Sequence, residues 1–164
     1  MRLIKTSLLA LVIAAAGTAL PAQAATDTTT FNVKIVITES CDIHTTAATD
    51  VDFGSHARST TAQQAATGTL TVNCTDGTPY NIGLDNGSNF SGTRRMSDGG
   101  TNYLGYGLFR DSAHSLAWGT TIGTNTLTGT GTAANQVISV YGQTVDTNAP
   151  AGSYSDIVTA SVTY

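Results

Sequence analysis

Phe31-Asn32-Val33-Lys34-Ile35-Val36-Ile37-Thr38 carries the clearest strand signal in the chain. Phe31, Val33, Ile35 and Ile37 fall on one face, and Asn32, Lys34, Val36 and Thr38 on the other, because a strand turns successive side chains to opposite sides. β-branched and aromatic residues at period two predict a strand over 31–38. The same alternation recurs further along. In 68–74, Leu70, Val72 and Cys74 oppose Thr69, Thr71 and Asn73; in 103–110, Leu104, Tyr106 and Leu108 share a face; in 157–164, Val158, Ala160, Val162 and Tyr164 oppose Thr159, Ser161 and Thr163. Shorter strands are expected at 51–54, 80–84, 116–119 and 137–143. Asp76-Gly77-Thr78-Pro79, Asp85-Asn86-Gly87 and the region 148–152 read as turns between them. Residues 57–66 read as a loop with room for a helical turn, 88–102 as a long exposed loop, and 119–135 as a Thr- and Gly-rich stretch. Many short strands separated by turns imply one all-β sandwich or barrel.

Composition agrees. Of 164 residues, 40% are hydrophobic and only 11% charged, with 17 Gly and 30 Thr. A coiled coil wants Ala, Glu, Lys and Leu at helical spacing, and a disordered chain wants more charge and less apolar matter. A formal charge of −4 offers no footprint for nucleic acid.

Residues 1–24 read as a secretory signal peptide: Arg2 and Lys5 open it, an apolar run follows at 8–16, and Ala22-Gln23-Ala24 has the small-x-small cleavage pattern. The competing reading, an uncleaved N-terminal anchor, fits the short apolar run less well, and no later segment reaches the roughly 18 apolar residues of a membrane helix. Removal leaves 25–164, which carries five Lys and Arg against eleven acids, a net charge of −6. In an oxidising compartment Cys41 and Cys74 read as one structural disulfide rather than a metal or catalytic pair.

Catalytic constellations are hard to find. His44, His56 and His114 lie far apart with no Cys or acid at metal-ligand spacing, and no Gly-x-Ser-x-Gly elbow exists. Asp50 and Asp52 flank Val51 without a third liganding position, a weak calcium signal. Arg94-Arg95 reads as a solvated pair in a polar loop. No catalytic, cofactor-binding or metal-binding residue is expected, and the chain does not read as an enzyme.

A set of landmarks, in order along 25–164, adds a family resemblance. They are Cys41; Asp52-Phe53-Gly54; Gly68, Leu70, Val72 and Cys74-Thr75; Gly77-Thr78-Pro79-Tyr80; Arg94 with Met96; Leu104, Tyr106, Leu108 and Phe109; Trp118-Gly119; Tyr141-Gly142; Pro150-Ala151-Gly152; Tyr154, Asp156 and Val162-Thr163-Tyr164. In these the chain resembles the spore coat protein U domain family, which includes pilins of archaic chaperone–usher pili. After Trp118-Gly119 it departs, with Thr120-Thr121-Ile122 where another Gly is expected. The resemblance implies an incomplete immunoglobulin-like β-sandwich that lacks its last strand, preceded by an N-terminal donor-strand extension. It implies three segments: signal peptide 1–24, extension 25–38 and pilin-like domain 39–164. A periplasmic chaperone would lend a strand, and the next subunit's extension would replace it at an outer-membrane usher. The product is a head-to-tail surface pilus supporting adhesion and biofilm formation, without cofactors. Phe31, Val33, Ile35 and Ile37 would enter a partner's groove, and Val158, Ala160, Val162 and Tyr164 would face the groove or chaperone. On the residues alone, 31–37 reads instead as an ordinary first strand of its own sandwich. The competing functions are a self-contained secreted spore-coat or matrix protein and a carbohydrate- or surface-binding adhesin.

Overall fold

Strand propensity and alternation settle into eight antiparallel strands with no helix in the computed structural model, which describes residues 23–164. The signal-peptide reading therefore lies, but for its last two residues, outside the described residues. The strands are β1 (Cys41–Asp42), β2 (Ala65–Cys74), β3 (Pro79–Leu84), β4 (Arg95–Ser97), β5 (Tyr103–Phe109), β6 (Leu127–Thr130), β7 (Gln136–Thr144) and β8 (Ala160–Thr163). One sheet has the order β1-β2-β7-β5-β4 and the other β6-β3-β8. This is an all-β, immunoglobulin-like arrangement of two antiparallel sheets.

The core follows from parity. Leu70, Val72 and Cys74 of β2, Tyr80, Ile82 and Leu84 of β3, Tyr106 and Leu108 of β5 and Val140 of β7 are buried in one cluster. Each full burial of a residue such as Val72 or Ile82 contributes about 1.5–3 kcal/mol. Trp118 ties the sheets together. Its backbone N–H donates to Leu108 O at 2.8 Å, and its indole Nε1–H donates to Ile82 O at 2.8 Å, so the largest buried side chain also has its polar atom satisfied. Cys41 lies opposite Cys74 in the β1–β2 ladder and the two are disulfide-bonded. Closing this loop of 33 residues contributes about 3–4 kcal/mol in the chain-entropy model.

Several expectations are corrected. Residues 31–38 join no sheet, although their apolar residues alternate as a strand's would; a stretch becomes a strand only when another backbone pairs with it. Residues 51–54 form no ladder; just before them a single bridge joins Thr49 to Thr69. Residues 116–119 likewise contribute one bridge, Ala117 to Phe109. The loop expected at 88–102 contains β4, the Thr- and Gly-rich stretch contains β6, and 57–66 has no helical turn and gives its end to β2. β4 and β6 are short edge strands with one core-packed apolar side chain each, Met96 and Leu127, too few for periodicity to announce them. Arg94 and Arg95 are not a solvated pair. Arg94 donates to the carbonyls of Leu84 and Asp85, while Arg95 donates to Asn89 O and stacks 3.8 Å from the Tyr103 ring centroid.

Candidate docking groove

Two stretches that pair on one side only leave a gap over the core. β8 pairs with β3 along one edge and with no strand of the sheets along the other. Residues 48–53 hang beside β2 by the bridge at Thr49, whose N–H donates to Thr69 O at 2.9 Å. Two glycines bring this segment close. A Cβ on Gly68 would lie 2.6 Å from Thr49 O, and one on Gly142 would run into Val51 Cγ1, so only glycine admits the segment's passage at these points. Val51 and Phe53 are half-buried and pack on the core, whereas Asp50 and Asp52 on the opposite parity are exposed.

Between these walls lies an open groove of about 410 Å³. Its floor is core: Leu70, Leu84, Tyr106, Leu108 and Val140. One wall is 48–53, and the other is formed by Tyr154, Ser155, Asp156, Val158 and Ala160. A second cleft of about 650 Å³ continues past Val51, Phe53, Met96 and Tyr154 toward Gln64 and Thr144. Apolar floor beside an unpaired strand edge is the arrangement that accepts an added β-strand, through backbone pairing plus alternate side-chain pockets.

A polar cluster closes the β8 side. Tyr106 OH donates to Asp156 Oδ2 at 2.7 Å, and the other Asp156 oxygen accepts from Asn89 N at 3.0 Å. Burial first, and then the bond to the Asp156 carboxylate, pushes the Tyr106 phenol far above its usual range. Burial would raise the Asp85 carboxyl, but the Thr159 and Gly87 N–H groups donate to it and leave it lowered. These bonds hold 155–159 against β5 and the β3–β4 connection. Partners 50 residues apart in sequence leave no local signal, so the pair Tyr106–Asp156 is invisible to periodicity and motif.

Of the expected chaperone- or groove-facing residues, Val158 and Ala160 line the groove. Val162 packs on the core from the same face, and Tyr164, beyond the end of β8, is 58% exposed. In the extension, Phe31, Val33, Ile35 and Ile37 are 83–86% exposed. Among the described residues no group of three or more His, Cys, Asp or Glu could hold a metal ion. His44 and His56 are exposed and His114 lies edge-on to Phe109, apart from one another's reach along the chain.

Comparison with known proteins fits this geometry. Residues 27–161 match the model of the Spore Coat Protein U domain. Protein U of Myxococcus xanthus is 32% identical over 180 aligned residues, which cover all of both chains. A solved chain from the CsuC–CsuE chaperone–tip adhesion subunit pre-assembly complex of the archaic chaperone–usher Csu pili of Acinetobacter baumannii is 25% identical, with a TM-score of 0.58. That likeness covers 78% of this chain and 40% of the solved one. With a match over nearly all of the described residues and the same two-sheet β architecture, the chain belongs to the Spore Coat Protein U domain family.

Proposed function

We propose that this protein is a structural subunit of a surface pilus, assembled by donor-strand exchange and supporting adhesion and biofilm formation. The observation that carries the reading is the open groove floored by core residues, in a chain whose own 31–37 stretch is alternately apolar and exposed. Residues 1–24 direct export, 25–38 form the donor extension, and 39–164 form the accepting domain. A periplasmic chaperone fills the groove in transit, and at an outer-membrane usher the extension of the next copy, or of a related pilin, replaces it. Phe31, Val33, Ile35 and Ile37 then cover the floor, and Val158 and Ala160 pair beside them. Four large apolar side chains at about 1.5–3 kcal/mol each give about 6–12 kcal/mol before ordering entropy. Donor and groove are different surfaces of one chain, so the contact is heterologous and repeats into a filament. The solved relative's description as a chaperone-bound pilus subunit supports this reading.

Deletion of 26–37 tests it. The shortened chain should still bind chaperone yet form no polymer, whereas the full chain should give an SDS-resistant ladder of multimers. Polymerisation of the deletion variant would overturn the reading. A self-contained coat protein is the second reading, supported by the full-length match to Protein U; it requires the purified chain to refold alone to a cooperative, stable monomer.

A further inference from the structure

Residues 25–164 contain one lysine, Lys34, and it lies on the extension's face opposite Phe31, Val33, Ile35 and Ile37. The other cations are committed elsewhere. Arg94, Arg95 and Arg110 donate to backbone carbonyls, and Arg58 donates to Asn148. On the groove's first wall, Asp50 and Asp52 alternate with the inward Val51 and Phe53 and are exposed, and among the described residues Asp52 accepts only from the Gly54 N–H, through Oδ1 at 2.8 Å. The third acid at the groove, Asp156, is already bonded to Tyr106 and Asn89.

We infer that Lys34 of an incoming copy pairs with Asp50 or Asp52 on the outer side of the groove wall and sets the register of the inserted strand. This rests on the donor-strand reading above and deepens it by naming the contact that fixes alignment. Parity requires it: if the apolar face enters beside Val51 and Phe53, Lys34 must emerge on the side of Asp50 and Asp52. Position agrees whichever way the strand runs, because Lys34 is the midpoint of 31–37 and Val51, with its two Asp neighbours, is central to 48–53. A shift of the inserted strand by two residues keeps the apolar face inward but moves the ammonium about 6–7 Å along the wall. Apolar parity alone therefore leaves such shifts open, and the ion pair discriminates between them.

The test uses assembled polymer of the full chain. A zero-length carbodiimide reagent should join Lys34 to Asp50 or Asp52 of a neighbouring copy, read by mass spectrometry of the excised multimer bands. Lys34→Glu should slow assembly about two- to fivefold at low salt, an effect that fades near 1 M salt. Adding Asp50→Lys and Asp52→Lys to that variant should restore the rate. Linkage of Lys34 to other acids, no linkage at all, or a salt-independent effect of Lys34→Glu would overturn the pairing while leaving strand exchange standing. A full chain that forms no polymer, or one whose 26–37 deletion still polymerises, would overturn both.

Discussion

Residues 31–38 and strand β2 (Ala65–Cys74) are written in the same pattern and end in opposite situations. Leu70, Val72 and Cys74 alternate with polar residues and are buried, because β1 and β7 pair the backbone of β2 and Tyr80, Ile82 and Leu84 of the other sheet join the same core cluster. Phe31, Val33, Ile35 and Ile37 alternate as cleanly and are at least 83% exposed. Alternation specifies a face and a backbone ready to pair, while the identity of the partner is specified elsewhere. For β2 the partner is in the same chain; for 31–38 no strand of the two sheets is offered. A monomeric chain would leave about 6–12 kcal/mol of apolar burial unrealised in the extension, which is the physical case for a second copy.

The comparison breaks most visibly with a charge placed in each stretch. Val72→Asp puts a carboxylate where the side chain is 0% exposed and should cost more than about 4 kcal/mol, enough to abolish the cooperative thermal transition. Val33→Asp, at 86% exposure, should leave the monomer's unfolding free energy within about 0.5 kcal/mol and instead remove the multimer ladder. Next in size is the disulfide beside β2: Cys41→Ser with Cys74→Ser should lower denaturant-measured stability by about 3–4 kcal/mol without altering the properties of the extension. Gly68→Ala, whose methyl would meet Thr49 O, should cost about 1–3 kcal/mol and displace the groove wall, weakening strand acceptance more than chaperone-free stability.

The smallest effect is on pH. The Tyr106 pKa is raised on folding, so its hydroxyl's contribution is complete below about pH 10 and is lost as pH climbs from there toward the folded-state value. Asp85 is lowered, so its contribution is present above pH 3.8 and is lost as pH falls through its folded-state value. Tyr106→Phe should therefore flatten the alkaline limb of a stability–pH profile and leave the acid limb unchanged, as followed by thermal melts.

Much of the fold was legible because the long strands announce themselves by period. Leu70 and Val72, Tyr106 and Leu108, and the inward Val158, Ala160 and Val162 all fall on the faces that alternation assigns them. The short edges were not legible. β4 and β6 are held by pairing to β5 and β3, and Arg94 looks solvated until its carbonyl partners 9 and 10 residues away are known. The groove was half legible. Val51 and Phe53 alternate as wall residues should, but their alternation does not show that the segment passes over Gly68 and Gly142 with a single bridge at Thr49. Glycines that permit a close approach carry no mark in sequence distinguishing them from glycines of turns.

Completion of one copy's sandwich by 31–37 of the next has a direct structural signature. An image reconstruction of assembled polymer at side-chain resolution tests it most directly. An added strand should lie in the groove, hydrogen-bonded along the free edge of β8, with Phe31, Val33, Ile35 and Ile37 of a neighbouring copy resting on Leu70, Leu108 and Val140. A groove left empty between copies, or filled by the chain's own 31–37, would contradict it.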